Sequence, residues 1–212
     1  MTTRSHITVI LDRTGSMESI RDDVIGGYNA FLAQQQAAPG SATLTLVQFD
    51  SQDPFEVLQA DADLATVPPL TREQYVPRAS TPLYDAIGRG ILELEVALAK
   101  RRKADRPEQV IFVIVTDGAE NASVEFDRAR VRRLIDAKTG LGWQFVFLSA
   151  DLAAFEDAQA MGVDACSSLL FSKSKQGNDR AWELASGKVL ESRRMPGKAV
   201  EFSEAERKSA AE

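Results

Sequence analysis

Six consecutive residues, Val110-Ile111-Phe112-Val113-Ile114-Val115, carry no polar side chain, and five of them are β-branched. A strand without in–out alternation has both faces covered, as in the centre of a parallel sheet flanked by helices. The run stops abruptly at Thr116-Asp117-Gly118. A second apolar, β-branched run, His6-Ile7-Thr8-Val9-Ile10-Leu11, breaks in the same way into Asp12-Arg13-Thr14-Gly15-Ser16-Met17. Open α/β sheets place their ligand sites where a buried strand ends in a polar turn and feeds a helix.

The remaining chain alternates strand and helix patterns. Met17, Ile20, Val24, Tyr28, Phe31 and Leu32 recur at helical spacing. Gly26-Gly27 interrupt that pattern at a cost of about 1 kcal/mol each against alanine, and a close packing contact would account for them. Thr43 to Phe49 is β-rich, Asp50-Ser51-Gln52-Asp53-Pro54 is a turn, and Phe55 to Leu58 reads as a short strand. So short a connection makes an antiparallel pair, which puts the third strand at a sheet edge. Asp61 to Ser80 is loop-like. Thr81-Pro82 opens a helix with Thr81 as N-cap and Pro82 in the first helical position; Leu83, Ile87, Ile91, Leu94 and Leu98 form its apolar face. Lys100 to Lys103 is a cationic helix end suited to the helix dipole. Beyond the central run, a helix is expected from Val124 to Ala137, a strand from Gln144 to Leu148, a helix from Leu152 to Met161, a strand from Ala165 to Leu170 and a helix from Gly177 to Glu191. The fold class is therefore α/β: a doubly wound, Rossmann-like, mostly parallel sheet of about six strands with one antiparallel edge strand and helices on both faces. Residues 1–195 form one domain. Residues 196–212 read as a charged tail, loosely ordered or holding a short helix capped at Ser203 with Glu206 three residues on.

Composition narrows the function. The chain is 44% hydrophobic, enough for a sizeable core. With 25 Lys plus Arg against 31 Asp plus Glu, the net charge of −6 argues against a nucleic-acid phosphate as main partner. A single cysteine, Cys166, rules out an internal disulfide and a cysteine zinc site, and its small, apolar neighbours predict a buried packing thiol. Met1 to His6 lead straight into the first strand without an apolar leader, and no run of about 18 apolar residues occurs. A soluble protein of the reducing cytoplasm is expected, with no membrane attachment.

Strand ends carry the chemistry. In a right-handed doubly wound sheet the loops after parallel strands gather at one edge. Asp12, Thr14 and Ser16, Thr81, and Asp117 would meet there if the first and central strands are neighbours. Two carboxylates with several hydroxyls, and no His or Cys, make a hard oxygen site suited to Mg²⁺, then Mn²⁺ or Ca²⁺, rather than zinc or copper. Asp, Thr and Ser at such places also serve as turn and N-cap residues, and it is the set of five that carries the argument. Asp50, Asp85, Glu120 and Asn121 stand nearby in sequence and suit capping or loop hydrogen bonding. Arg13 and Met17 flank the turn and are candidates to touch a partner; nothing marks His6 as a catalytic base.

At these residues the chain resembles von Willebrand factor type A domains and their metal-ion-dependent adhesion site. That signature, Asp-x-Ser-x-Ser, a later threonine and an aspartate after the fourth strand, falls on Asp12-Arg13-Thr14-Gly15-Ser16, on Thr81 in Ser80-Thr81-Pro82-Leu83, and on Asp117 in Val115-Thr116-Asp117-Gly118. The likeness covers about residues 5 to 192 and departs at Thr14, where serine is commoner but the hydroxyl is kept. The resemblance implies that Thr14 and Ser16 ligate directly, that Thr81 ligates directly or through water, and that the aspartates act partly through water. An ion held largely by neutral hydroxyls keeps its charge and takes an Asp or Glu from a partner protein. The resemblance further implies a non-enzymatic, intracellular bacterial or phage-type member acting as an adaptor.

Other classes fit less well. A haloacid-dehalogenase-type phosphoryl-transfer enzyme would use Asp12 but needs a second acid where Thr14 stands. Phosphate-binding glycine loops of the two common kinds are absent, and one histidine placed early in the first strand makes no Ser-His-Asp set. Within binding, self-association is the alternative, with Glu201, Glu204, Glu206 or Glu212 filling a neighbour's metal site.

Overall fold

The computed structural model describes residues 4–212. The expectation about how residues 1–3 lead into the first strand falls outside them. Six strands form one sheet in the order β3-β2-β1-β4-β5-β6: β1 (Arg4–Asp12), β2 (Ser41–Phe49), β3 (Glu56–Asp63), β4 (Gln109–Thr116), β5 (Gln144–Ser149) and β6 (Ser168–Leu170). All neighbours are parallel except β2 and β3. The mostly parallel α/β sheet with one antiparallel edge strand is thus the observed architecture. Every residue of β4 is buried.

Helices cover both faces. Against one lie α1 (Arg21–Ala37), α5 (Lys175–Arg194) and α6 (Glu204–Ala211), which bury Tyr28, Phe31, Trp182 and Val189 on the strand residues Ile7, Val9, Ile111 and Val113. Against the other lie α2 (Leu83–Ala99), α3 (Arg128–Thr139) and α4 (Leu152–Ala160), with Ile87, Ile91, Val131 and Ala158 on Ile10, Phe112 and Phe147. The paired glycines in α1 have different neighbours. A methyl group at Gly27 would sit 2.0 Å from the Trp182 ring, whereas at Gly26 it would meet nothing within 4 Å. Close approach to α5 explains Gly27 only.

Several local expectations are corrected. β3 runs on to Asp63 through a stretch poor in β-formers, because pairing with β2 overrides propensity; a bulge there places Asp61 in the left-handed region at φ 48°. α3 begins at Arg128, capped by Asp127, and Val124 is left 92% exposed in the preceding loop. Cys166 is exposed: it lies in a 3₁₀ turn at the sheet edge, where Ser167 and Ser168 take the inward positions. The segment after residue 196 is docked onto the domain. Val200, Phe202 and Ala210 are buried in the α1–α5 core and the Phe202 N–H donates to the Cys166 carbonyl, while the expected short helix capped by Ser203 with Glu206 is present as α6.

His6 is buried in β1 between the Thr43 and Thr8 hydroxyls, at 2.8 and 3.1 Å. Asp61 lies 3.3 Å away but is ion-paired with Arg101. Burial, with Arg101 beside it, pushes the His6 pKa down to about 3.

Two predictions follow from this packing. Gly27→Ala should destabilise the fold by about 1–3 kcal/mol through overpacking on Trp182, while exposed Gly26→Ala should stabilise it by about 0.5–1 kcal/mol; urea unfolding separates them. For His6, the unfolded chain takes up a proton below pH ~6.5 and the folded chain does not until about pH 3. Stability is therefore lost as pH falls through that window, by up to about 1.4 kcal/mol per unit. The difference in urea midpoint between wild type and His6→Gln should shift against the wild type from pH 7.5 to 5; a pH-independent difference would contradict it.

Candidate metal centre

The carboxyl ends of β1 and β4 place the two acids side by side. Strand pairing aligns Leu11 with Val115, so Asp12 and Thr116 come next in each strand. The Thr116 hydroxyl donates to Asp12 Oδ2 at 2.6 Å, and the Thr14 N–H donates to Asp12 Oδ1 at 2.7 Å. The buried Tyr75 hydroxyl donates to the Asp12 carbonyl. Ser16 Oγ lies 3.3 Å from Thr14 Oγ1 and donates to Asp117 Oδ1 at 2.5 Å.

Thr81 completes the group. A methyl group built on Gly118 would lie 3.5 Å from Ser16 Oγ and 3.7 Å from Thr81 Oγ1, so both hydroxyls face the same small space beside Asp117. The expected capping role of Thr81 is corrected. Pro82 occupies the N-cap position of α2 and no side chain of its own caps the helix. The α2 N–H groups of Tyr84 and Asp85 donate instead to Glu120 Oε2 and Ser123 Oγ, which leaves the Thr81 hydroxyl free for the site. The loop after β4 also grips Thr81 directly, its N–H donating to Asn121 Oδ1 at 2.8 Å and its carbonyl accepting from the Asn121 N–H at 3.0 Å.

The other acids are framework. Asp85 is buried and accepts the N–H groups of Val124, Glu125 and Phe126 at 2.9, 2.9 and 2.7 Å. Buried Asp50 accepts from Arg13 Nε at 2.6 Å, from Arg78 Nε at 2.9 Å and from the N–H groups of its own turn. Burial alone would raise the Asp50 pKa, but those hydrogen bonds outweigh it and hold it below the ordinary value. Arg13, which also pairs with Glu56, and Met17 are buried rather than presented to a partner. Through Arg13 and Arg78, Asp50 joins the first turn to the segment leading to Thr81. The Arg78 N–H donates to the Arg13 carbonyl at 2.9 Å and the Gly15 N–H to the Ala79 carbonyl at 3.1 Å, with Ala79 in the left-handed region at φ 58°.

The donor set fits a hard divalent ion. Among the described residues no group of three or more His, Cys, Asp or Glu side chains could hold a metal, so a cation here must rely on hydroxyls beside the two carboxylates. Asp12 and Asp117 are buried, Ser16 is exposed, and the group therefore opens on one side. Burial pushes the Asp12 pKa up to about 7, the hydrogen bonds from Thr116 and Thr14 oppose that rise, and Asp117 adds to it. Ionising Asp12 in the protein alone is thus costly at neutral pH, and a cation beside it would remove the cost.

Thr116, Tyr75 and Lys173 escaped sequence reasoning. Lys173 Nζ lies 3.1 Å from Asp117 Oδ2. Its signal was topological: it follows β6, whose carboxyl end lies at the same sheet edge as those of β1 and β4.

Scans of the sequence against protein-family models and against curated proteins return no match. Solved structures do match. The von Willebrand factor domain of the type V pili tip protein Mfa5 from Porphyromonas gingivalis is similar at 10% identity and TM-score 0.66, over 96% of this chain and 98% of that one. Proximal thread matrix protein 1 from the mussel byssus is similar at 12% identity and TM-score 0.60, over 87% of this chain and 48% of that one. One structure of the mussel protein has a zinc-occupied adhesion-site motif. A von Willebrand factor type A protein from Catenulispora acidiphila is similar at 13% identity and TM-score 0.55, over 89% and 43% of the two chains. This chain spans about half the length of the mussel protein. The fold is that of von Willebrand factor type A domains.

Loss of the Asp50 acceptor should unpin both hydroxyl-bearing loops. Asp50→Ala leaves Arg13 and Arg78 without their shared carboxylate and should cost about 3 kcal/mol in urea unfolding, with Asp50→Asn costing less because its amide oxygen still accepts from the turn.

Proposed function

We propose that this domain is a non-enzymatic, metal-dependent protein-binding module. Asp12, Thr14, Ser16, Thr81 and Asp117 hold a divalent cation, Mg²⁺ first and Mn²⁺ or Ca²⁺ as alternatives, and an acidic residue of a partner protein completes its coordination. The observation carrying this reading is the meeting of three neutral hydroxyls with two buried carboxylates in a group open at Ser16. When bound, the ion supplies a Lewis-acidic position for one anionic oxygen.

The chain's own residues do the rest. Asp12 orients the first turn through the Thr14 N–H, and Thr116 fixes the Asp12 carboxylate. Asp117 holds the Ser16 hydroxyl in place, and the loop after β4 presents Thr81. Val124 stands exposed on that loop. Zinc belongs in the test because the similar mussel protein holds it. No helix among the described residues is long and apolar enough to cross a membrane. We place the domain in the cytoplasm of a bacterial cell, as an adaptor within a larger complex.

Titration calorimetry with Mg²⁺, Mn²⁺, Ca²⁺ and Zn²⁺, on wild type, Asp12→Ala and Thr81→Ala of checked fold, tests the site. Loss of an outer partner of a metal ligand costs about 10–100-fold in affinity, so each of these variants should lose at least that much. Capture of partners from a lysate of the source cell should depend on metal and be abolished by chelator. Equal metal affinity in wild type and Asp12→Ala, or no binding by wild type even with a captured partner present, would sink the reading.

A further inference from the structure

We propose that Lys173 is a built-in stand-in cation: its ammonium occupies Asp117 when the metal is absent and must give way when metal enters. The inference rests on the metal-site reading above and goes beyond it, since it assigns a residue outside the ligand set the task of holding metal affinity down.

Asp117 is buried and both of its oxygens are engaged. Oδ1 accepts from the Ser16 hydroxyl at 2.5 Å and Oδ2 pairs with Lys173 Nζ at 3.1 Å. Among the described residues no other cationic side chain makes an ion pair with Asp117, and none pairs with Asp12. The nearest arginine in sequence, Arg13, is spent on Asp50 and Glu56. A buried carboxylate needs a counter-charge, and without metal Lys173 supplies the one this pair of acids has.

Lys173 is also placed to leave. Its side chain is 42% exposed, so the stem reaches in from solvent and the ammonium can return to water without breaking packing. Its backbone stays anchored on either side. Phe171 is buried with its N–H donating to the Ser149 carbonyl, the Ser172 N–H donates to the Ala210 carbonyl, and Ser174 caps α5. Release is therefore a side-chain event.

Charge counting gives the consequence. With Asp12 and Asp117 ionised, Lys173 leaves the metal-free group with a net charge of −1. A divalent ion added to two carboxylates is neutral without the lysine and carries one surplus positive charge with it. The lysine thus opposes metal loading until its ammonium withdraws to solvent, and an entering ion must displace it from Asp117.

The test uses wild type, Lys173→Met, Lys173→Arg and Asp12→Ala, with the metal ions alone as probes. Lys173→Met keeps the apolar stem and removes the charge. In chelator it should melt about 2–4 °C below wild type, because Asp117 is left unpaired. Its Mn²⁺ or Mg²⁺ affinity should be about three- to tenfold tighter than wild type by calorimetry, the effect of a partly exposed pair. Metal should raise its melting temperature by more than it raises that of wild type. Lys173→Arg should behave like wild type on all three readings. Equal or weaker metal affinity in Lys173→Met, with Asp12→Ala silent, overturns the role of Lys173 and leaves the metal site standing. No metal binding by either wild type or Lys173→Met overturns the metal site itself, and this inference with it.

Discussion

The parallel pairing of β1 with β4 is the constraint on which the rest of the site depends. Both strands are buried on both faces, with Ile7, Val9, Leu11, Ile111, Val113 and Val115 in one core and Ile10, Phe112 and Ile114 in the other, so a slip of one position would exchange side chains between two packed cores. In the observed register Asp12 and Asp117 emerge at the same edge, and Thr116 reaches across the strand pair to hold the Asp12 carboxylate. Two acids that would repel each other are thus held together by the hydrophobic core. The core supplies the position and the polar edge spends it.

Carboxylates in this domain divide by what they accept. Asp50, Asp85 and Glu120 are saturated by backbone N–H groups, hydroxyls or guanidinium groups, and each ties one loop to another. Asp12 lies deep in the protein and burial raises its pKa, whereas Asp50 accepts from two guanidinium groups and two backbone N–H groups, which hold its pKa down. Saturated acids build the frame, and the under-compensated one marks the place where an external cation would be most useful.

Much of this was legible in the chain itself. The unalternating run at 110–115 called for a central strand, the short turn at 50–54 for an antiparallel edge, and the polar stops after Leu11 and Val115 for one shared polar edge. What escaped was set by contacts between distant segments. Thr81 reads as a helix cap because Thr-Pro usually is one; only the arrival of Glu120 and Ser123 at the α2 N-terminus frees it. Asp85 draws the N–H groups of residues 124–126 into a loop and so delays α3 to Arg128. Charged, Ala-rich residues after 196 read as a loose tail, but the apolar Val200, Phe202 and Ala210 among them find the α1–α5 core. Lys173 follows a strand of three residues, too short to announce itself by periodicity.

The same reasoning explains why the loops, rather than the strands, decide what this fold does. The threonine at position 14 keeps a hydroxyl where a phosphoryl-transfer enzyme built on Asp12 would need an acid, and Thr14 Oγ1 lies against Ser16 rather than against any proton donor suited to a leaving group. Replacing acid by hydroxyl lowers the negative charge of the group while still presenting an oxygen. An ion held in that way, as proposed above, would stay electrophilic toward an outside carboxylate, which is the property a docking site needs. The sheet delivers two acids to one edge, and the hydroxyls gathered around them are what the proposed binding role rests on.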